Sequence, residues 1–89
     1  MLSREGDQLK VDGPLTIDSV AGVLTASADK LQGVTSVDLS GVTEVDSAAI
    51  GLLLEWRRQR SGTDLRFAHL PAALTSLAEL YGVVDLIPQ

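Results

Sequence analysis

Few residues in this chain could carry covalent or metal chemistry. His69 is the single histidine and cysteine is absent, so a Cys–His or multi-His metal site cannot be built. A Ser–His–Asp triad would have to use His69. That residue stands at an expected strand end beside Leu70-Pro71, where a hydrogen-bonded structural role accounts for it. Glu44 and Asp46 are spaced like a general acid–base pair, but they border an expected helix start, where acidic groups complement the helix dipole. No Walker loop and no G-x-G-x-x-G is present, so nothing cradles a nucleotide phosphate. The expectation is a chain with no catalytic residue, no metal and no cofactor, which works by docking onto a partner protein.

The residues that suggest such docking cluster at one helix start. Val42-Thr43-Glu44-Val45 reads as an extended connection that delivers Asp46 and Ser47 to a helix N-terminus. Ala48 and Ala49 follow and leave the first turn thinly covered, so another chain can approach its backbone. The Ser47 hydroxyl is expected to cap the helix by accepting a free backbone N–H, worth ~1 kcal/mol. At 100° per residue, Ile50, Leu53 and Leu54 form the core face, and Leu52 and Trp56 form a second apolar strip near Ala48. That strip is either taken in by a core wrapping round the helix or exposed as a contact patch. Arg57, Arg58 and Arg60 compensate the dipole at the far end and could rim an interface.

The elements that must position this site follow from pattern. Leu9-Lys10-Val11 alternates as a short strand, and Asp12-Gly13-Pro14 is a turn signal. Leu15-Thr16-Ile17 is a second short strand or the approach to a helix. That helix is capped by Asp18 or Ser19 and runs to about Leu31, with Gly33 ending it. Val34 to Leu39 reads as a buried strand and Ser40-Gly41 as a turn. The long helix runs from Ser47 to about Arg60, stopped by Ser61-Gly62-Thr63. Asp64 to Leu70 is a strand, with Leu65, Phe67 and Ala68 turned inward. A third helix spans Ala72 to Tyr81, opened by Pro71 and capped by Gly82, and the apolar tail Val83 to Ile87 packs back on the domain. Strands alternating with helices predict an α/β fold, a mixed and mainly parallel sheet of about four strands with helices packed on it.

Composition narrows the partner. At 89 residues the chain is expected to be a single domain, residues 1–89, with one modest core. Its hydrophobic fraction of 45% suits a globular fold, and with only Trp56, Phe67 and Tyr81 aromatic, the core falls to Leu, Val, Ala and Ile. A formal net charge of −5 argues against nucleic acid and against an anionic membrane surface. The lack of cysteine, the polar start from Met1 to Lys10 and an apolar run limited to Ala48–Leu54 lead us to expect a cytoplasmic protein that is not inserted in a membrane.

Val37-Asp38-Leu39-Ser40, followed by Val45-Asp46-Ser47-Ala48-Ala49-Ile50-Gly51-Leu52-Leu53, resembles the signature of a STAS domain. In that family a D-L-S strand precedes D-S and small residues that open a helix, and the order of elements over the whole chain agrees. Two branches of the family are similar. In anti-sigma factor antagonists, partner-switching regulators of transcription, the pattern is D-S-S-G and the second Ser accepts phosphate. Ala48 stands in that place here, leaving Ser47 as the candidate phosphoacceptor. The other branch is the STAS subunit, of toluene-tolerance type, of the Mla phospholipid ABC transporter. Its D-[ST], small pair and Leu-rich helix resemble residues 46–54, and Leu77-Ala78-Glu79-Leu80-Tyr81-Gly82 with Leu86-Ile87-Pro88 is similar to its C-terminal stretch. This resemblance implies a subunit that binds and supports the transporter's cytoplasmic ATPase and meets the inner membrane only through that complex. The contact would then comprise Thr43, Glu44, Asp46, Ser47, Ala48, Leu52 and Trp56.

Overall fold

A computed structural model describes residues 2–60 and 65–89. The expected helix stop at residues 61–63 and the expected strand start at residue 64 lie outside the described residues. The chain runs β1 (Leu2–Glu5), β2 (Gln8–Leu15), α1 (Val20–Ser27), β3 (Ser36–Val45), α2 (Ser47–Gln59), β4 (Arg66–Ala68) and α3 (Ala72–Leu80), then a 3-10 turn at Val84–Leu86. The four strands form one sheet in the order β1-β2-β3-β4. β1 pairs antiparallel with β2, whereas β2–β3 and β3–β4 are parallel, so the sheet is mixed and mainly parallel as the sequence predicts.

Period-two alternation sorts the two faces of the sheet. Leu9, Val37 and Phe67 lie side by side across β2, β3 and β4 and are fully buried. With Val11 and Leu39 they meet Ile50, Leu53 and Trp56 of α2 and Leu74 and Ala78 of α3. The adjacent row, Lys10–Asp38–Ala68, has opposite parity and lies on the other face.

Three expectations change. The N-terminal residues read only as a polar stretch, yet Leu2–Glu5 forms β1, closed onto β2 by the two-residue turn Gly6–Asp7 with Gly6 at φ 60°. Asp12-Gly13-Pro14 does not end β2. The register shifts between Lys10 and Asp12 and again between Gly13 and Pro14, so the turn-forming residues become bulges inside a continuing strand. Likewise Ser40-Gly41 is not a turn, because β3 runs unbroken for ten residues. A Cβ at Gly41 would overlap the Asp12 carboxylate and lie 3.1 Å from the Val11 carbonyl oxygen, so glycine here permits a close approach to β2.

The helices are shorter than their patterns. α1 stops at Ser27 rather than near Leu31. Beyond it, the Arg4 guanidinium donates to the carbonyls of Lys30 (2.8 Å) and Gln32 (2.7 Å), groups that the loop leaves free to accept from a side chain. α3 ends one residue early and closes as expected at Gly82 (φ 68°). Gly82 N–H donates to Glu79 O (3.1 Å) and Val83 N–H to Ala78 O (3.0 Å), the paired bonds of a Schellman motif. The tail does pack back, with Ile87 buried and Pro88 O accepting from Phe67 N–H at 2.8 Å on β4. Leu65 and Phe67 are buried and Ala68 is half-buried, while β4 itself spans only Arg66–Ala68.

Candidate protein-docking site

Helix α2 begins where β3 leaves the C-terminal end of the sheet. Its cap is Asp46, not Ser47. Asp46 Oδ1 accepts Ala48 N–H at 2.8 Å, and Oδ2 accepts Ile17 N–H at 2.9 Å. A carboxylate accepts at both oxygens, so it can hold the helix start and the approach to α1 together, which a hydroxyl cannot do as well. Asp46 thus builds the site, and Ser47 is released from capping to become the first helical residue, exposed to solvent.

Thr43 and Glu44 are exposed on the last turn of sheet before it, with Glu44 opposite Pro14 in the ladder instead of in a separate connection. Ala48 is half-buried and borders an apolar groove of about 250 Å³ between α1 and α2. Val20, Ala21 and Leu24 form one wall, and Ala48, Gly51, Leu52 and Glu55 the other. Ile17, just before α1, is strongly exposed. The α1 wall is not legible in the helical spacing of Val20 and Leu24, which marks a helix but not a groove. The signal available was the small pair Ala21-Gly22 beside them, matching the small residues Ala48 and Gly51.

Leu52 and Trp56 separate. Leu52 is buried and lines the groove floor. Trp56 lies wholly in the interior, so its reading as a contact residue is corrected. Its indole N–H donates to Ser27 Oγ at 2.8 Å, and Ser27 Oγ–H donates to Leu24 O at 2.8 Å. A tryptophan can be buried this fully only when its N–H finds an acceptor, and α1 supplies one.

The basic end of α2 is also committed. Arg58 forks onto Glu55 at 2.6–2.9 Å, and this contact lowers the Glu55 pKa and raises that of Arg58. Arg60 Nε donates to Val34 O at 3.2 Å. Arg57 is exposed.

His69 has the structural role expected of it. Its Nδ1 lies 3.0 Å from Asp38 Oδ1, an atom that also accepts Ser40 N–H at 2.9 Å. The Ser40 amide holds the Asp38 carboxyl below its ordinary pKa, with His69 adding to the effect and burial opposing it. His69 adopts φ 59°, an uncommon left-handed backbone for a residue with a side chain. Among the described residues no cluster of His, Asp or Glu is arranged to hold a metal ion, and no helix is long and apolar enough to cross a membrane.

A mixed four-stranded sheet, with a capped helix presenting its small first residues beside an apolar groove, defines a class of small α/β domain. The chain belongs to the Mlab, STAS domain family, whose sequence profile matches residues 1–88. It is 28% identical over 87 residues to the intermembrane phospholipid transport system binding protein MlaB of Escherichia coli K12, covering 94% of this chain and 90% of that protein. The MlaB protein of Shigella flexneri matches to the same extent. Among solved structures, the anti-sigma factor antagonist SpoIIAA in its unphosphorylated form superposes with a TM-score of 0.58 at 17% identity, covering 99% of this chain and 83% of SpoIIAA. That likeness is one of fold.

Proposed function

We propose that this chain is a non-catalytic accessory subunit of a phospholipid-transport ABC transporter of the Mla type, binding and supporting its cytoplasmic ATPase at the inner face of the inner membrane. Membership of the family and similarity to the two MlaB proteins support the transporter role. The observation that carries the docking is the free start of α2: Ser47 is exposed, Asp46 fixes the backbone beneath it, and the groove opens alongside. In this reading Ser47 and Ala48 make the central contact, Thr43 and Glu44 flank it, and Leu52 floors the groove. Asp46 positions the others.

Calorimetric titration of the purified chain into the ATPase subunit of such a transporter from the same source tests the proposal. Ser47→Glu is expected to weaken binding at least about tenfold, equivalent to ~1.4 kcal/mol, with the melting temperature unchanged. An unaltered affinity overturns this surface. The alternative, a partner-switching antagonist of an anti-sigma factor, is favoured by the exposure of the Ser47 hydroxyl at an anion-attracting helix end. Glu44 and Asp46 oppose a phosphate there. Incubation with a cognate kinase followed by intact mass measurement separates the two, since only the switch predicts a stable phosphate on Ser47.

A further inference from the structure

Five large apolar residues are exposed among the described residues, and four of them fall between residues 80 and 86. Leu80 (76% exposed), Tyr81 (53%), Val84 (42%) and Leu86 (42%) occupy the end of α3 and the 3-10 turn after it. The segment is not loose. The Schellman bonds at Gly82 and Val83 lock the end of the helix, Leu86 and Ile87 N–H donate back to Val83 and Val84 carbonyls at 2.9 and 3.1 Å, and Pro88 is tied to β4. Val83 and Ile87 turn inward, so their neighbours are held outward on a fixed backbone. A preorganised apolar patch loses little entropy when covered.

The patch sits at the opposite end of the sheet from Ser47. Pro88 bonds to Phe67, which faces Val37 near the start of β3, whereas Ser47 follows the end of β3 at Val45. Eight residues of strand separate those levels by roughly 25 Å. The groove between α1 and α2 is lined by those two helices and by no residue of α3. Occupants of the two surfaces therefore need not compete.

Charge identifies what fits. Residues 72–89 carry Glu79 and Asp85 and no Lys, Arg or His, and the Arg66 guanidinium of β4 is engaged at the far end of the tail, where it donates to Gln89 O at 3.2 Å. A second copy of the same patch would oppose acid with acid, and four side chains fall well short of the ~800 Å² per partner that a stable dimer buries. An anionic membrane is repelled for the same reason. We propose that the end of α3 is a second docking surface, which takes a short amphipathic segment of a partner protein bearing Lys or Arg among apolar residues. The chain then joins two polypeptide elements at once.

The test places the photoreactive residue p-benzoylphenylalanine at position 81 in the full chain expressed with its transporter. The purified complex is irradiated and the attached peptide is sequenced by mass spectrometry. Position 81 is expected to label a protein segment with interspersed basic and apolar residues. The yield should fall at least about tenfold in a Glu79→Lys, Asp85→Lys background that melts like the parent, and should fall as salt rises. Labelling of another copy of this chain, of lipid, of a segment without basic residues, or of nothing overturns the proposal, as does a yield indifferent to both charge changes. The Ser47→Glu titration reports on the ATPase contact separately. Labelling from 81 together with an unaltered Ser47→Glu affinity defeats only the first surface, and no labelling from 81 together with a weakened Ser47→Glu affinity defeats only the second.

Discussion

Ser27 and Trp56 show how a single hydroxyl decides where a large side chain goes. Ser27 is fully buried and serves as acceptor for the indole and donor to Leu24 O. Ser27→Ala leaves the indole N–H without that partner and is expected to cost ~1–3 kcal/mol by urea unfolding. Trp56→Phe removes the donor instead, so the double variant should lose less than the sum of the two single ones. The sequence shows the Leu52–Trp56 spacing but not this outcome, because periodicity places a residue around its own helix and is silent about which neighbour covers it. Asp38 offers a second test. Its folded pKa lies below the unfolded value, chiefly through Ser40 N–H, so the stabilisation is complete above the ordinary carboxylate range of about 4 and is lost as pH falls through the folded value. Asp38→Asn should flatten this acid-side decline in the unfolding midpoint, while costing ~1 kcal/mol at neutral pH. His69 contributes less, because its side chain is largely in solvent, where such pairs are screened.

At the scale of elements, the order of strands and helices after residue 8 was legible, and so was the start of α2, because β-branched runs, small residues and cap residues are local signals. β1 was not, because Leu2-Ser3-Arg4-Glu5 is an edge strand with three of its four residues exposed, and such a strand needs no apolar alternation. The continuity of β2 and β3 was hidden for a different reason. Gly13, Pro14 and Gly41 are turn residues by type, but here they let two paired strands bend past one another. Gly41→Ala tests this directly. The added methyl must displace Asp12 and crowd Val11 O, and a loss of about 1–3 kcal/mol is expected. A true turn at Ser40-Gly41 would tolerate the change more easily. In the docking site, the α2 wall was readable and the α1 wall was not, since a groove between two helices is a property of their packing and belongs to neither sequence segment alone.

For the molecule as a whole, the last residues finish the sheet. Pro88 O takes the Phe67 amide, Gln89 O accepts from Arg66 Nη1 at 3.2 Å, and Ile87 fills the core beneath. Ile87→Ala should cost ~2–5 kcal/mol in thermal or denaturant unfolding, a core-sized penalty for a residue so near the terminus. The tail thereby shields the outer side of β4, which would otherwise offer its unpaired backbone to other chains. This arrangement also supplies a clock. Because the Phe67 amide is guarded by one carbonyl belonging to the tail, its hydrogen–deuterium exchange counts how often that segment lets go, on a scale separate from global unfolding. A polypeptide clasped against Leu80 and Tyr81 should slow this amide more than those of β2, and one clasped at Ser47 should leave it ticking at its resting pace.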